Sequence, residues 1–319
     1  MAGRVTLAVD LGGVRFPTPV LGASGCFGSG QEVGQLIDLR KVGGIVTKSV
    51  TLRPVRGMPT PRMVETPSGM LNAIGLQNPG VDAFIQKDGP FISRVGTPVI
   101  VSIAGKSVQE FVEVVRRVHT MPGVVAIEAN ISCPNVARRN QVFACHPNHA
   151  AEVIAAVTRT SRLPVFAKLT PDVTDIVEVA RACVDAGAHG LSLINTMLGM
   201  AIDVETFRPR LGAVTGGLSG PAIRPVAVRA VYQVARALPE VPIIGMGGIR
   251  SWDHAAEFLL AGAWAVAVGT TNFSNPAATI EVAQGVGRFL ADRELSSPAD
   301  LRGKVVVGAP VPEPAYRGG

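Results

Sequence analysis

Short apolar runs alternate with amphipathic segments along most of the chain. Runs rich in Val, Ile, Leu and Ala predict strands over 19–23, 44–48, 98–103, 123–131, 164–169, 189–194, 241–246 and 264–269. Between them, apolar positions recur at helical spacing and predict helices over 30–40, 107–119, 149–161, 174–186, 221–238, 251–261 and 276–291. Pro98, Pro164 and Pro242 stand just before strands, where a missing N–H is tolerated and the preceding element must end. Eight strands with helices between most of them predict an α/β chain folded as a (β/α)8 TIM barrel. The second reading is a doubly wound open sheet, which the strand count and the lack of a GxGxxG opening disfavour. Residues 5–9 and 10–14 read as an N-terminal β-hairpin closing the barrel bottom. The connection over 49–97, rich in Pro, Gly and Thr, is long for a compact fold, and such a connection is usually functional. Neither linker composition nor an internal repeat divides the chain, so one domain is expected over 1–319.

Composition narrows the function. Hydrophobic residues make up 47% and charged residues 17%, enough apolar side chains for a large core. The net charge of +6 comes without any long Lys/Arg run, and only 5% of residues are aromatic, which argues against nucleic-acid binding. A mildly basic balance still suits an anionic ligand. The four cysteines (Cys26, Cys133, Cys145, Cys183) are far apart and form no CxxC, so neither a disulfide framework nor a metal site is expected, and a cytoplasmic setting fits. The five histidines show no HxH or HExxH spacing; His146 and His149 could face each other on a turn. No secretory signal or membrane span is expected: the apolar stretches near 190–202 and 258–271 are interrupted by glycine.

In a barrel of this kind the chemistry collects at the C-terminal strand ends. The octet Glu128-Ala129-Asn130-Ile131-Ser132-Cys133-Pro134-Asn135 closes the fourth run, placing a thiol between two carboxamides. A free thiol titrates near ~8.5, so modest stabilisation of the thiolate makes Cys133 a usable base near neutral pH. Cys145 reads as an incidental loop thiol, and Cys26 and Cys183 read as packing residues. Lys48 and Lys168 each end an apolar strand, a costly position unless an anion is met. The seventh and eighth tips, Gly245-Met246-Gly247-Gly248-Ile249 and Gly269-Thr270-Thr271, together with Gly216-Gly217-Leu218-Ser219-Gly220, offer bare N–H groups at helix starts, with Ser251 as an N-cap. Such groups suit a phosphate. Asn72, Asn130, Asn135 and Asn195 supply amides that match the alternating N–H and C=O edge of a cyclic imide or urea.

These motifs resemble a known family. Lys48-Ser49-Val50-Thr51, Asn72 through Gly80, Asn130 through Asn135, Ile194-Asn195-Thr196, Thr215 through Pro221 and Ile244 through Ile249 are similar, over about residues 4–290, to class 1 dihydroorotate dehydrogenases. The Ile74-Gly75-Leu76-Gln77-Asn78 form and Met197-Leu198-Gly199-Met200 resemble the type B catalytic subunit. The resemblance implies flavin mononucleotide (FMN) in the barrel mouth. Cys133 would take a proton from C5 of dihydroorotate while hydride leaves C6 for flavin N5. Lys168 would stabilise the reduced flavin. Ser24, Lys48, Ser49, Ser102, Asn130, Lys168, Ile194, Gly220, Gly247, Gly248, Gly269 and Thr270 would hold the cofactor, the last four around its phosphate. Lys48, Asn72, Ala73, Ile74, Gly75, Leu76, Asn130, Asn195 and Thr196 would hold the substrate. The resemblance also implies a homodimer inside a heterotetramer with a second subunit that carries FAD and a [2Fe–2S] cluster and passes electrons to NAD. This chain has no cysteine cluster for such a centre. Two departures stand out: Ser102 where the family usually has Asn, and a loop over 136–146 without the usual glycines. A dihydropyrimidine dehydrogenase-like flavoprotein and a non-flavin phosphate-binding barrel remain the alternatives.

Overall fold

The computed structural model describes residues 5–132 and 143–308. Strands β1 (Val9–Leu11) and β2 (Val14–Phe16) open it as an antiparallel hairpin with Leu11 opposite Val14. The two-residue turn needs left-handed backbone, and Gly12 and Gly13 provide it at φ 62° and 87°. Barrel strands β3 (Val20–Gly22) and β4 (Ile45–Val46) follow. Next come β5 (Met63–Thr66), β6 (Gly69–Asn72) and helix α1 (Val81–Ile92). The barrel resumes with β7 (Val99–Ile103), α2 (Val108–Val118), β8 (Val124–Asn130), α3 (Pro147–Thr160), β9 (Val165–Leu169), α4 (Ile176–Asp185) and β10 (Gly190–Leu193). Four short strands form a second excursion: β11 (Met197–Gly199), β12 (Ile202–Asp203), β13 (Arg208–Pro209) and β14 (Gly216–Ser219). Then α5 (Arg224–Ala237), β15 (Ile243–Met246), α6 (Trp252–Ala261), β16 (Ala265–Val268) and α7 (Ala278–Asp292) complete the ring.

Eight parallel strands close the barrel, each beside its neighbour in chain order, with β16 returning to β3. The open-sheet reading is thereby excluded. Side chains alternate across the barrel wall. On β9, Val165, Ala167 and Leu169 face the helices, whereas Phe166 points inward, packing with Ile100, Ala126 and Ile244. The hairpin lies at the N-terminal ends of the strands. Leu11 and Phe16, both fully buried, join that inner cluster and plug the bottom, while Gly12 comes against His189, just ahead of β10. The hairpin thus spans 9–16, slightly later than its predicted limits.

Two helix expectations change. Residues 30–40 form two 3-10 turns, Val33–Gln35 and Leu39–Lys41. Gly30 sits at φ 100°, and Asp38 is extended and accepts from the Arg40 amide, so the helix cannot run through. Conversely, the long connection over 49–97 contains α1, hidden in the sequence by Gly89 and Pro90 in its last turn. The same connection supplies β5 and β6, which join β11 and β14 in an antiparallel four-stranded sheet, order β11-β14-β6-β5. Asn72 pairs with Gly217 on one side and with Met63 on the other. No helix among the described residues is long and apolar enough to cross a membrane.

Candidate active site

The C-terminal strand ends and the four-stranded sheet enclose a cavity of about 450 Å³, within the roughly 300–1,000 Å³ typical of small-molecule sites. Ser24 lines it from the tip of β3, Lys48 and Ser49 from β4, Asn130 from β8 and Lys168 from β9. Ile194, Asn195 and Thr196 follow β10, Gly247 and Gly248 follow β15, and Gly269 and Thr270 follow β16. Gly220 enters just after β14, ahead of α5. Asn72, Ile74, Gly75 and Leu76 form the facing wall. A chain of hydrogen bonds fixes the amide side. Asn130 Nδ2 donates to Ser49 Oγ at 2.9 Å, while Asn130 Oδ1 accepts from Ser132 Oγ at 3.2 Å and from Asn195 Nδ2 at 3.4 Å. Asn195 Nδ2 also donates to Ser132 Oγ at 2.9 Å, and its Oδ1 accepts from the Thr196 amide at 2.8 Å.

Two predicted contacts fall behind the wall. Ser102 is fully buried and does not reach the cavity; its Oγ stands 3.0 Å from Ser49 Oγ and its N–H donates to Thr47 Oγ1. Its short side chain props Ser49 and leaves Ser49 to face the space. Ala73 is also fully buried, because side chains alternate at the end of β6 and turn it toward Leu71 and Leu211. Cys26 changes in the other direction. Read as packing, it lines the cavity. Burial pushes its thiol up to about 11, with Lys168 and Lys48 opposing more weakly, so it stays protonated at neutral pH. Cys183 is buried in the core as expected. Cys133, Pro134, Asn135 and most of the following loop lie outside the described residues. His146 and His149 do meet, ring edge to face at 5.2 Å, yet no described cluster of His, Cys, Asp or Glu could hold a metal ion.

Opposite the amides lies a glycine cradle. Gly220, Gly247 and Gly248 have φ of 95°, 129° and 74°, a region glycine enters freely. A Cβ on Gly248 would come within 2.8 Å of the Gly220 carbonyl oxygen. Thr270 Oγ1 donates to Ser219 Oγ at 2.8 Å, and Thr271 Oγ1 donates to the Ile249 carbonyl, tying the tips together. Ser251 occupies the N-cap position of α6 without a side-chain capping bond. A phosphate fits such a pocket of exposed N–H groups.

Both lysines face this cavity. Lys168 is 5% exposed, and beneath it lies a residue that the sequence reading passed over: Glu128, 1% exposed, with Oε1 3.7 Å from Lys168 Nζ. Its signal was present, since Glu128 shares the inward face of β8 with Asn130. Met63 and Met70, cavity-lining residues from the excursion sheet, gave no comparable signal. Asn78 holds the wall between β6 and α1: its Oδ1 accepts from the Thr51 and Gly80 amides, and its Nδ2 donates to Thr51 Oγ1 and the Leu76 carbonyl. Leu76 is thereby kept at φ 58°.

Comparisons with known proteins agree with one another. A family model described as dihydroorotate dehydrogenase matches residues 6–290. A protein of Trichlorobacter lovleyi named dihydroorotate dehydrogenase B (NAD(+)), catalytic subunit, is 53% identical over 300 residues, 94% of this chain and 98% of that one. A protein of the same name from Geotalea uraniireducens is 50% identical over 304 residues, 95% and 99% of the two chains. One from Alkaliphilus metalliredigens is 49% identical over 302 residues, again 95% and 99%. The crystal structure of the Eimeria tenella enzyme in complex with ferulenol superposes with a TM-score of 0.79 over 93% of this chain and 88% of that one; at 21% identity, that likeness speaks for the fold.

Proposed function

Because the chain belongs to the dihydroorotate dehydrogenase family, we propose that it oxidises dihydroorotate to orotate in pyrimidine biosynthesis, with FMN as the resident cofactor. The observation that carries this reading is the division of one cavity into two halves: a glycine cradle, and a set of amides and ammonium groups. The cradle of Gly220, Gly247, Gly248, Gly269 and Thr270 suits a phosphate. Lys48 and Lys168 suit an electron-rich ring that gains negative charge. When bound, FMN supplies the hydride acceptor for C6 of the substrate.

The chain's own residues supply the rest. Asn72, Asn130, Asn195 and Thr196 present donors and acceptors to the imide edge of the dihydroorotate ring, already oriented by the Ser49–Asn130–Ser132–Asn195 bonds. Orientation of this sort lowers the entropic part of the barrier before chemistry begins. Lys48 lies where it can meet the substrate's anionic charge. Base work at C5 goes to Cys133, the thiol of the Asn130–Asn135 motif. The protonated state of Cys26 supports that choice, since a thiol held to about 11 is a poor base near neutral pH. Loss of the C5 proton and the C6 hydride leaves the C5=C6 double bond of orotate. The named relatives are NAD-linked catalytic subunits, which supports onward transfer to NAD through a separate subunit carrying FAD and a [2Fe–2S] cluster, in a heterotetramer built on a dimer of this chain. The cysteine content of this chain supports placing the iron–sulfur centre elsewhere.

The visible spectrum of purified protein tests this reading. A yellow protein with about one FMN per chain, bleached by anaerobic dihydroorotate, is expected. Colourless protein that takes up no added FMN would remove the cofactor assignment. Bleaching by a dihydropyrimidine without the carboxylate, but not by dihydroorotate, would favour the dihydropyrimidine alternative.

A further inference from the structure

Glu128 lies on the inward face of β8, one alternation below Asn130, and is 1% exposed. It does not line the cavity, whereas Lys168 does. Its Oε1 stands 3.7 Å from Lys168 Nζ, close enough for charge pairing and too far for a hydrogen bond. Among the described residues that oxygen has no hydrogen-bond partner, and neither does the buried Ser192 Oγ, which sits on the neighbouring strand at the register of Lys168. A carboxylate kept inside a barrel without a hydrogen bond on one oxygen is expensive. What it faces is the ammonium at the cavity floor. Glu128 therefore reaches the cavity only through Lys168.

We propose that Glu128 is the positioning residue and counter-ion of Lys168, and that it sets the reduction potential of the flavin held above. This inference rests on the FMN reading given under the proposed function. The carboxylate behind it draws Lys168 Nζ toward the wall, so the positive charge stands farther from the ring held above and its field there is weakened. Because the pair is loose, no Lys168 N–H is committed to Glu128. Removing the negative charge while keeping the shape leaves the full ammonium field on the cavity. Reduced flavin, the more negative state, then gains relative to oxidised flavin.

The test is the two-electron midpoint potential of the FMN holoprotein in four forms: wild type, Glu128→Gln, Lys168→Gln and the double variant. Glu128→Gln is expected to retain FMN and to shift the oxidised–reduced equilibrium at least tenfold toward reduced flavin, a rise of about 30 mV for a two-electron couple. In the Lys168→Gln background the same change should move the equilibrium less than threefold, the mark of a residue that acts through its neighbour. A Glu128→Gln potential equal to or below wild type overturns the proposal, as does a full-sized shift that persists without Lys168. Should Glu128→Gln fail to fold, Glu128→Asp withdraws the carboxylate by one methylene and must raise the potential by a smaller factor; no rise overturns the proposal equally. Wild-type protein that binds no FMN overturns both the cofactor reading and this one, and so differs from wild type that binds FMN beside a Glu128→Gln variant with an unmoved potential.

Discussion

Asn130 and Ser49 stand 81 positions apart in the chain, yet Asn130 Nδ2 donates to Ser49 Oγ at 2.9 Å in the buried wall of the cavity. The bond joins the tips of two strands separated in the barrel by β7, and Ser102 of β7 supports it from behind at 3.0 Å from Ser49 Oγ. It also fixes which way the Asn130 amide faces, because Oδ1 is left to Ser132 and Asn195. The amide orientation at the site is thus set by Ser49, Ser132 and Asn195, with Ser102 behind Ser49.

Asn130→Ala should remove this orientation together with one amide. Loss of a buried hydrogen-bonding partner costs about 1–3 kcal/mol. Orotate binding, followed by the flavin absorbance, is therefore expected to weaken about ten- to a hundredfold. Ser49→Ala should weaken it less, since the amide remains, but should lower the melting temperature because Asn130 and Ser102 each lose a partner. Wild-type orotate affinity in Asn130→Ala would exclude the amide from the site.

Gly248→Ala tests the cradle. At φ 74° an alanine is strained, and its Cβ would lie 2.8 Å from the Gly220 carbonyl oxygen and 2.8 Å from Arg224 Cβ. Strain of this class costs about 1–3 kcal/mol. FMN should dissociate on the order of ten times more readily from the variant, measured by titrating apoprotein with FMN. An unchanged Kd would mean that the phosphate is held elsewhere.

The eight barrel strands are legible in the sequence because parallel strands covered on both faces read as nearly continuous apolar runs. The excursion sheet is not, since β5, β6, β11 and β14 are short, half-exposed and made largely of Gly, Met, Leu, Thr and Asn. Helix α1 escaped for the opposite reason: its turn-like residues Gly89 and Pro90 lie inside it. At the site, polar residues ending apolar strands were readable as such, and this is how Lys48, Asn130 and Lys168 emerged. Glu128 opens the octet without a role assigned to it, although the period-two alternation from Asn130 places it inward. Ser102 and Ala73 show the limit of transferring contacts through a family resemblance, because a hydroxyl in place of a carboxamide and one alternation step put both behind the wall.

The base assignment yields a test among thiols. Cys133→Ser should retain FMN and reduce it far more slowly with dihydroorotate at neutral pH, because a hydroxyl holds its proton more tightly than a thiol, and activity should recover partly at high pH. Cys26→Ala should keep the wild-type dependence of reduction rate on pH through the neutral range. Burial holds Cys26 protonated until about 11, so over that range it contributes no titrating charge in either direction. Rapid-reaction kinetics across pH distinguish the two. A near-normal Cys133→Ser beside an inactive Cys145→Ser would move the base to the other loop thiol.

The electron acceptor follows from what the chain contains. No described strand is followed by a GxGxxG turn, the usual seat of a dinucleotide pyrophosphate, and the glycine cradle is a single site shaped by Gly220, Gly247 and Gly248. With FMN there, no second nucleotide site of that type remains among the described residues. The isolated chain should therefore be reduced by dihydroorotate and reoxidised by oxygen or artificial dyes, yet reduce NAD poorly. Addition of an iron–sulfur FAD subunit from the same cell should restore NAD reduction and bring the two polypeptides into one complex, measurable by co-purification and by the rate of NADH formation. Brisk NADH formation by the isolated chain would place the NAD site on this polypeptide, and efficient fumarate reduction would make fumarate the acceptor in place of a partner subunit.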